Sequence, residues 1–286
     1  MSILRVGPAA GRPSRRRPGG ASPRPSGPRH GGPAARPTIL VIGLGLIGGS
    51  AGIALRQRGW HVRFLDPNVT PDEALRAGAA DERAETIGDE EVILLATPTD
   101  VAIELLPKIE TSHVVVSACS VMRPLRAIAR GKFVAGHPMA GSHERMLAAA
   151  TGDLFEGKPW FLDATDERVD ALVRDCGAVI ERVDAAEHDA AVALTSHLPQ
   201  VLSTALAAYL HDREDVLRFA GTGLRTFLRL AGSDASVWSS VIEANRDNLA
   251  PHAERIAQLV REIIEGDSRA AFEKAQELVA RLSSRA

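Results

Sequence analysis

Residues 38–50 read TILVIGLGLIGGS, and this segment indicates the fold class of the chain more clearly than any other. Ile39 to Ile42 form a β-branched, apolar run, which is typical of a buried parallel strand. Glycines then follow in the spacing G-x-G-x-x-G, and Ala51 to Arg58 have helical composition. A strand, a glycine turn and a helix in this order predict the first unit of a dinucleotide-binding fold.

Each position of the glycine turn has a predicted role in holding a dinucleotide. Gly43 permits the tight turn, Gly45 lets a pyrophosphate approach the backbone, and Gly48 lets the helix pack closely on the strand. Leu46 and Ile47 open the helix, whose free N–H groups and positive dipole end would receive the phosphates. We therefore expect these five residues to bind the cofactor.

An acidic residue at the end of the second strand indicates which dinucleotide is bound. His61 to Leu65 read as that strand, and Asp66 follows it, 23 residues after Gly43. A carboxylate at this distance would hold the adenosine ribose of NAD. It would also repel a 2′-phosphate, and Pro67-Asn68 supplies no arginine to receive one. The sequence predicts NAD in preference to NADP.

Further strands alternate with helical segments up to about residue 184. Glu91 to Ala96 reads as a strand ending at Thr97 and Pro98, which we expect to lie over the cofactor. Other predicted strands are His113 to Val116, Phe133 to Ala135, Pro159 to Leu162 and Ala178 to Val183. This alternation predicts an α/β, Rossmann-type, doubly wound parallel sheet over residues 38–184.

The pattern becomes helical from residue 185 to the end at residue 286. We expect four helices here, at Ala185–His211, Asp215–Ala231, Ala235–Glu265 and Asp267–Arg285. Their long apolar faces exceed the needs of one small bundle. The sequence therefore predicts an all-α helical domain that pairs two subunits as a homodimer.

Residues 1–37 differ in composition from everything that follows. They contain eight arginines, eight prolines, seven glycines and no acidic residue, which predicts a disordered basic tail. The remaining body has 26 basic and 36 acidic residues, so it does not resemble a nucleic-acid binder. No apolar run approaches the ~20 residues of a membrane span, and two unpaired cysteines fit a reducing compartment, here the cytoplasm.

Three motifs narrow the function further. They are GHPMAGS at residues 136–142, EHD at 187–189 with SHLPQ at 196–200, and FLRLAGS at 227–233. In this order and spacing the chain resembles the prephenate and arogenate dehydrogenase family over about residues 38–265. The resemblance implies oxidation of a small cyclohexadienol, prephenate or a close analogue, with NAD as hydride acceptor. The ring carboxylate then leaves as CO2, which yields 4-hydroxyphenylpyruvate from prephenate.

The resemblance also implies roles for individual residues. His137 would accept the hydrogen bond of the substrate hydroxyl, a task suited to an imidazole near neutral pH. Ser120 would orient His137, and His197 would contact the substrate from the helical domain. Arg229 would hold a substrate carboxylate as a bidentate donor, and Ser142 would also bind substrate. For His188, beside Asp189, a structural hydrogen bond is favoured over catalysis.

One segment departs from the family pattern. Family members usually read Asp-x-Gly-Ser-Val-Lys around the orienting serine, whereas residues 117–122 read SACSVM. Ser120 is retained, but Ser117, Cys119 and Met122 replace the acid, the glycine and the lysine. Cys119 would narrow the space that glycine leaves. These changes leave prephenate, arogenate and an amino-substituted analogue all open as substrates.

Other classes of protein fit the sequence less well. The β-hydroxyacid dehydrogenases use a lysine on the first long helix of their second domain, and residues 185–211 contain none. A non-catalytic NAD-binding regulatory protein with a basic arm is the alternative from another class, and the set of His137, His197 and Arg229 argues against it. No cluster has metal-ligand spacing, so no metal is expected.

Overall fold

The computed structural model describes residues 36–141 and 146–284. The chain divides into two compact units, with the boundary between Ala185 and Ala186. The first unit holds strands β1 to β9 and helices α1 to α5. The strands are Thr38–Ile42, His61–Leu65, Glu82–Arg83, Val92–Leu95, Val114–Ser117, Phe133–Val134, Gly136–Pro138, Pro159–Leu162 and Val179–Arg182. The helices are Leu46–Gln57, Pro71–Arg76, Thr99–Leu105, Arg123–Ile128 and Glu167–Asp175.

A six-stranded parallel sheet forms the centre of the first unit, in the order β3-β2-β1-β4-β5-β6. β1 pairs in parallel with β2 on one side and with β4 on the other. The strand order therefore reverses at β1, and ligands of such sheets bind at the carboxyl ends of the strands beside that reversal. The predicted Rossmann-type fold class is confirmed.

The sheet is buried on both faces, as the apolar run of β1 predicts. Ile39 and Val41 pack into one hydrophobic cluster, while Leu40 and Ile42 pack into a second cluster on the other face. Alternate side chains of a strand point to opposite faces, so four consecutive apolar residues indicate a strand covered on both sides. This burial fixes the carboxyl end of β1, where the glycine turn begins.

The last predicted strands do not extend the parallel sheet, which corrects the sequence prediction. β8 and β9 form a separate three-stranded sheet with β7, in which β7 runs antiparallel to β8. The chain leaves β6 at Val134 and enters β7 only two residues later. An added Cβ at Gly136 would lie 2.6 Å from the Ser117 carbonyl oxygen, so the change of sheet requires glycine there.

The second unit is helical, as predicted, but three of the four predicted helices are interrupted. α6, Ala185–Val192, continues through a π-helical turn at Ala193–His197 into α7, Leu198–Leu210. The predicted helix 215–231 is two short helices, α8 at Glu214–Leu217 and α9 at Thr222–Phe227, because Gly221 caps the second. Asn245 separates α10, Ala235–Ala244, from α11, Arg246–Glu265, and α12 spans Ser268–Ser283.

Exposed apolar side chains concentrate in the second unit. Among the described residues, twelve of the sixteen large exposed apolar side chains belong to it, including Phe219, Ile264 and Phe272. No helix of the described part of the chain is long and apolar enough to cross a membrane. Most of the predicted basic tail, residues 1–35, lies outside the described residues, as does Ser142.

Candidate active site

The glycine turn has the geometry that its sequence predicts. Gly43 has a φ of +93°, a backbone conformation that favours glycine. A Cβ at Gly48 would overlap the Gly43 carbonyl oxygen and lie 2.9 Å from Val41 Cγ1. At Gly45, by contrast, no described heavy atom lies within 4 Å of an added Cβ. The turn is therefore tightly packed on its inner side and open at Gly45.

The start of α1 faces that open position. Gly45 caps the helix without a side-chain hydrogen bond, and the first turn, from Leu46 and Ile47, contains no acidic residue. Unpaired N–H groups at a helix start attract phosphate, and the missing Cβ at Gly45 lets the phosphate approach. The glycine turn from Gly43 to Gly48 and the start of α1 together form a cradle that fits a dinucleotide pyrophosphate.

Asp66 already makes two hydrogen bonds to the backbone. Its Oδ2 accepts from the Leu44 N–H at 2.8 Å, and its Oδ1 accepts from the Asn68 N–H at 2.8 Å. Each carboxylate oxygen can accept a further bond, so a ribose hydroxyl could still bind. Asp66 thus orders the glycine turn in addition to the ribose contact predicted from the sequence.

Thr97 and Pro98 follow β4 directly, at the carboxyl edge of the sheet. Thr97 Oγ1 is a buried hydroxyl oxygen with no hydrogen-bond partner among the described residues. The Thr97 carbonyl oxygen accepts a hydrogen bond from the Cys119 thiol, with 3.6 Å between oxygen and Sγ. Cys119 is buried within the core, where desolvation raises the pKa of its thiol to about 12. Its side chain packs into the core beside Thr97, and its effect on the space of the site stays a prediction.

His137 lies on β7, a strand that sequence reasoning did not predict. It pairs with Phe161 of β8 and is half-buried. The backbone is anchored on both sides, because the Ala135 N–H donates to Asp163 Oδ1 at 2.8 Å and the Met139 N–H donates to the Pro159 carbonyl at 2.9 Å. A paired strand holds the imidazole more firmly than a loop would.

Two polar side chains, those of Arg126 and Ser117, stabilise the backbone that precedes His137. Arg126 binds the Asp163 carboxylate with two nitrogens, Nε at 2.6 Å to Oδ2 and Nη2 to Oδ1, and also donates to the Phe133 carbonyl at 3.0 Å. Ser117, which replaces the acid of the family pattern, is fully buried. Its Oγ accepts the Gly136 N–H at 3.2 Å.

Ser120 is half-buried in the loop between β5 and α4, and its pairing with His137 stays a prediction.

In the second unit, His197 ends the π-helical turn and is 1% exposed. Its ring stands edge-on to Trp238, with centroids 5.9 Å apart, and Nδ1 lies 3.1 Å from Asn245 Nδ2. Among the described residues, its buried Nε2 has no hydrogen-bond partner. Burial lowers the pKa of His197 to about 4, partly offset by Asp189, so the ring is neutral near pH 7. A buried polar atom in this condition requires an explanation, and a ligand supplies one.

Asn245 is a site residue that sequence reasoning missed. It is fully buried, and its Nδ2 donates to the Asp189 carbonyl at 2.8 Å. Asparagine is a poor residue for a helix interior, so its presence inside a predicted 31-residue helix was the available signal. His188 Nδ1 lies 2.8 Å from Asp189 Oδ1, the structural contact that the sequence favours.

Arg229 is exposed and lies just before a 3-10 turn, Leu230–Gly232. Two buried side chains of α7 fix the backbone on both sides of it. Ser203 Oγ donates to the Phe227 carbonyl at 2.8 Å and accepts the Ala231 N–H at 3.1 Å. Gln200 Nε2 donates to the Leu230 carbonyl at 2.8 Å. These hydrogen bonds hold the backbone of Arg229 in place. A guanidinium on a fixed backbone is well suited to bind a carboxylate through two nitrogens.

Acid is expected to destabilise the fold through His197. An unfolded histidine takes up a proton near pH 6.5, whereas folded His197 stays neutral down to about pH 4. The unfolded state binds more protons between these values, so the free energy of unfolding should fall by roughly 2–3 kcal/mol as pH falls through them. Urea unfolding of the protein and of His197→Gln at pH 7 and pH 4.5 measures this, and equal pH dependence would contradict it.

Comparisons with known proteins cover both units. Residues 51–186 match the family model "Prephenate dehydrogenase, nucleotide-binding domain", and residues 184–282 match "Prephenate dehydrogenase, dimerization domain". The prephenate dehydrogenase of Lactococcus lactis is 30% identical over 77% of this chain and 70% of its own length. That of Bacillus subtilis is 29% identical over 80% of this chain and 68% of its own length.

A solved structure agrees with these matches. The crystal structure of prephenate dehydrogenase from A. aeolicus, in complex with hydroxyphenyl propionate and NAD+, is 25% identical. It superposes with a TM-score of 0.74 and covers 89% of this chain and 98% of its own. The likeness therefore extends over both the sheet unit and the helical unit.

Proposed function

Because this chain belongs to the prephenate dehydrogenase family, we propose that it converts prephenate to 4-hydroxyphenylpyruvate and CO2 with NAD as oxidant. The fold, the family and the cradle at Gly45 identify an NAD-dependent dehydrogenase. When bound, NAD accepts the hydride that leaves C4 of the substrate ring. The aromatic product makes loss of the ring carboxylate as CO2 favourable.

The observation that carries the proposal is the buried, unpartnered Nε2 of His197. A neutral imidazole that is 1% exposed gains from a polar ligand and not from an apolar one. Substrates of this class offer a hydroxyl and two carboxylates. An oxygen of such a substrate would satisfy the buried nitrogen, and Arg229 would receive a carboxylate in bidentate form.

His137 supplies the proton chemistry in this proposal. Its imidazole accepts the hydrogen bond of the C4 hydroxyl, which raises the electron density on oxygen as the hydride departs. Ser120 donates to His137 or to the cofactor amide and orients the ring. Ser142 adds a hydrogen bond to the substrate. The anchored strand β7 keeps the imidazole in place during the reaction.

We infer that two copies of the chain pair through the helical unit. Its family model is described as a dimerization domain, and its exposed apolar side chains include Phe272, 64% exposed, and Ile264, 77% exposed. Large apolar side chains exposed to this degree favour an interface. Both cysteines are free thiols, in keeping with a reducing compartment such as the cytoplasm.

The choice of substrate within the family is tested by comparing two compounds. Purified protein with NAD should form NADH rapidly with prephenate, and more slowly with arogenate, whose side chain carries an amine. Absorbance at the NADH band measures the rate, and identification of 4-hydroxyphenylpyruvate confirms the product. The comparison matters because Ser117 stands where the family pattern has an acid.

Other outcomes separate the alternatives. Faster turnover of arogenate would replace the proposed substrate while retaining the reaction class. Tight NAD binding without NADH formation from prephenate, arogenate or an amino-substituted analogue would indicate a regulatory NAD-binding protein and would overturn the proposal.

A further inference from the structure

We propose that Asn245 is a positioning residue that fixes the tautomer of His197, so that the neutral ring presents Nε2–H as a hydrogen-bond donor to the substrate. Asn245 lies 48 residues from His197 in sequence and at the junction of α10 and α11. The inference rests on the proposed function only in that a substrate oxygen receives this N–H.

The orientation of the Asn245 amide follows from its surroundings. The atom 2.8 Å from the Asp189 carbonyl oxygen must be a donor, because a carbonyl oxygen only accepts. That atom is therefore Nδ2 of Asn245. The opposite end agrees, since Asn245 Oδ1 accepts from Asn248 Nδ2 at 2.8 Å. A flipped amide would place oxygen against the Asp189 carbonyl and lose that bond.

The same amide nitrogen decides the state of the histidine. Nδ2 has two hydrogens, and the second points to His197 Nδ1 at 3.1 Å. Nδ1 is then the acceptor, so in the neutral ring the proton is on Nε2. Burial keeps the ring neutral, because desolvation lowers the pKa of His197 to about 4. The unpartnered Nε2 is consequently an N–H donor and not a base.

The π-helical turn explains how these groups meet. It spans Ala193–His197, directly after the helix that carries Asp189. A π turn breaks the regular hydrogen-bond ladder, and such turns recur at functional sites. The Asp189 carbonyl accepts the Asn245 amide, and the same amide nitrogen faces the His197 ring.

The first test reads the tautomer directly in the protein with its unchanged sequence. Long-range proton–nitrogen NMR spectra of the full chain labelled with nitrogen-15 histidine, near pH 7, distinguish protonated from unprotonated ring nitrogens. His197→Gln identifies the signals of His197 by their loss. We expect Nε2 protonated and Nδ1 unprotonated. A proton on Nδ1, or a charged ring, would overturn the proposal.

The second test replaces the hydrogen-bond donor of Asn245 that faces His197 Nδ1 with an acceptor. In Asn245→Asp, assayed at a pH where the ring is neutral, the introduced carboxylate accepts from Nδ1, which draws the proton from Nε2 to Nδ1. The KM for prephenate should rise roughly 10- to 100-fold, the range of a lost hydrogen bond to a charged group, while the Kd of NAD stays within twofold. A merely structural role would instead lower stability and NAD binding together and leave the tautomer unchanged.

A double variant separates tautomer control from general damage. The amide of His197→Gln donates from a position near Nε2 but has no tautomers. Adding Asn245→Asp to His197→Gln should therefore raise KM by less than threefold, whereas additive effects would contradict the proposal. If neither prephenate nor arogenate is turned over, the proposed function fails, and the NMR spectrum still decides the role of Asn245.

Discussion

Replacing His137 with asparagine is expected to lower kcat with prephenate by about 10³-fold, within the range for loss of a positioned acid–base group. An asparagine oxygen can accept a hydrogen bond but does not take up a proton near pH 7. The strand that carries residue 137 is held by backbone bonds that the substitution does not remove. Stopped-flow or steady-state NADH formation measures kcat.

A matched substitution at a solvent-exposed histidine serves as the control. The His211 side chain is 84% exposed at the end of α7, so His211→Asn should keep full turnover. NAD affinity, read by calorimetry, should be unchanged in both variants. If His137→Asn retained more than about a tenth of the activity with a normal NAD affinity, the assigned role of His137 would be wrong.

Two alanine substitutions in the glycine turn are expected to differ in their effect on the free energy of unfolding. At Gly48 a methyl group would overlap the Gly43 carbonyl oxygen, so Gly48→Ala should lower the free energy of unfolding by about 1–3 kcal/mol. At Gly45 the methyl group meets no described heavy atom within 4 Å, and φ is −81°. Gly45→Ala should therefore change stability by less than about 1 kcal/mol.

Binding of NAD distinguishes the two variants further. The methyl group of Gly45→Ala occupies the space through which a pyrophosphate approaches α1, so NAD affinity should fall at least about tenfold, a cost of about 1.4 kcal/mol or more. Urea unfolding and calorimetry measure the two quantities on the same samples. A Gly45→Ala protein with native stability and native NAD affinity would show that the pyrophosphate does not bind at this turn.

The parallel sheet and its cofactor end were predictable because their signals are local. Residues 38–50 contain the strand, the glycine spacing and the helix start within one short stretch, and each element forms from its own neighbours. Asp66 was found by its distance from Gly43, although its bonds to Leu44 and Asn68 became visible only in the structure. Backbone steric limits act on adjacent residues, so sequence alone reveals them.

The second sheet depended on contacts that no local pattern encodes. Pro159–Leu162 is apolar enough for either sheet, and in the structure it pairs with Gly136–Pro138, a strand that lies more than 20 residues earlier. The chain around His137 is likewise held by Asp163, 26 residues later. Strand pairing between distant segments is selected by packing, which short-range propensity does not specify.

The fold class and the NAD-binding turn could be predicted from short motifs with fixed spacing, and the residues proposed for chemistry could be predicted from the resemblance of three motifs to a known family. The protonation state of His197, by contrast, became visible only in the folded structure. Burial in the folded chain lowers its pKa, and the amide that faces its Nδ1 belongs to Asn245, 48 residues away. The protonation of a buried group depends on desolvation and on partners brought together by folding, and neither is a property of the residue's own neighbours in sequence.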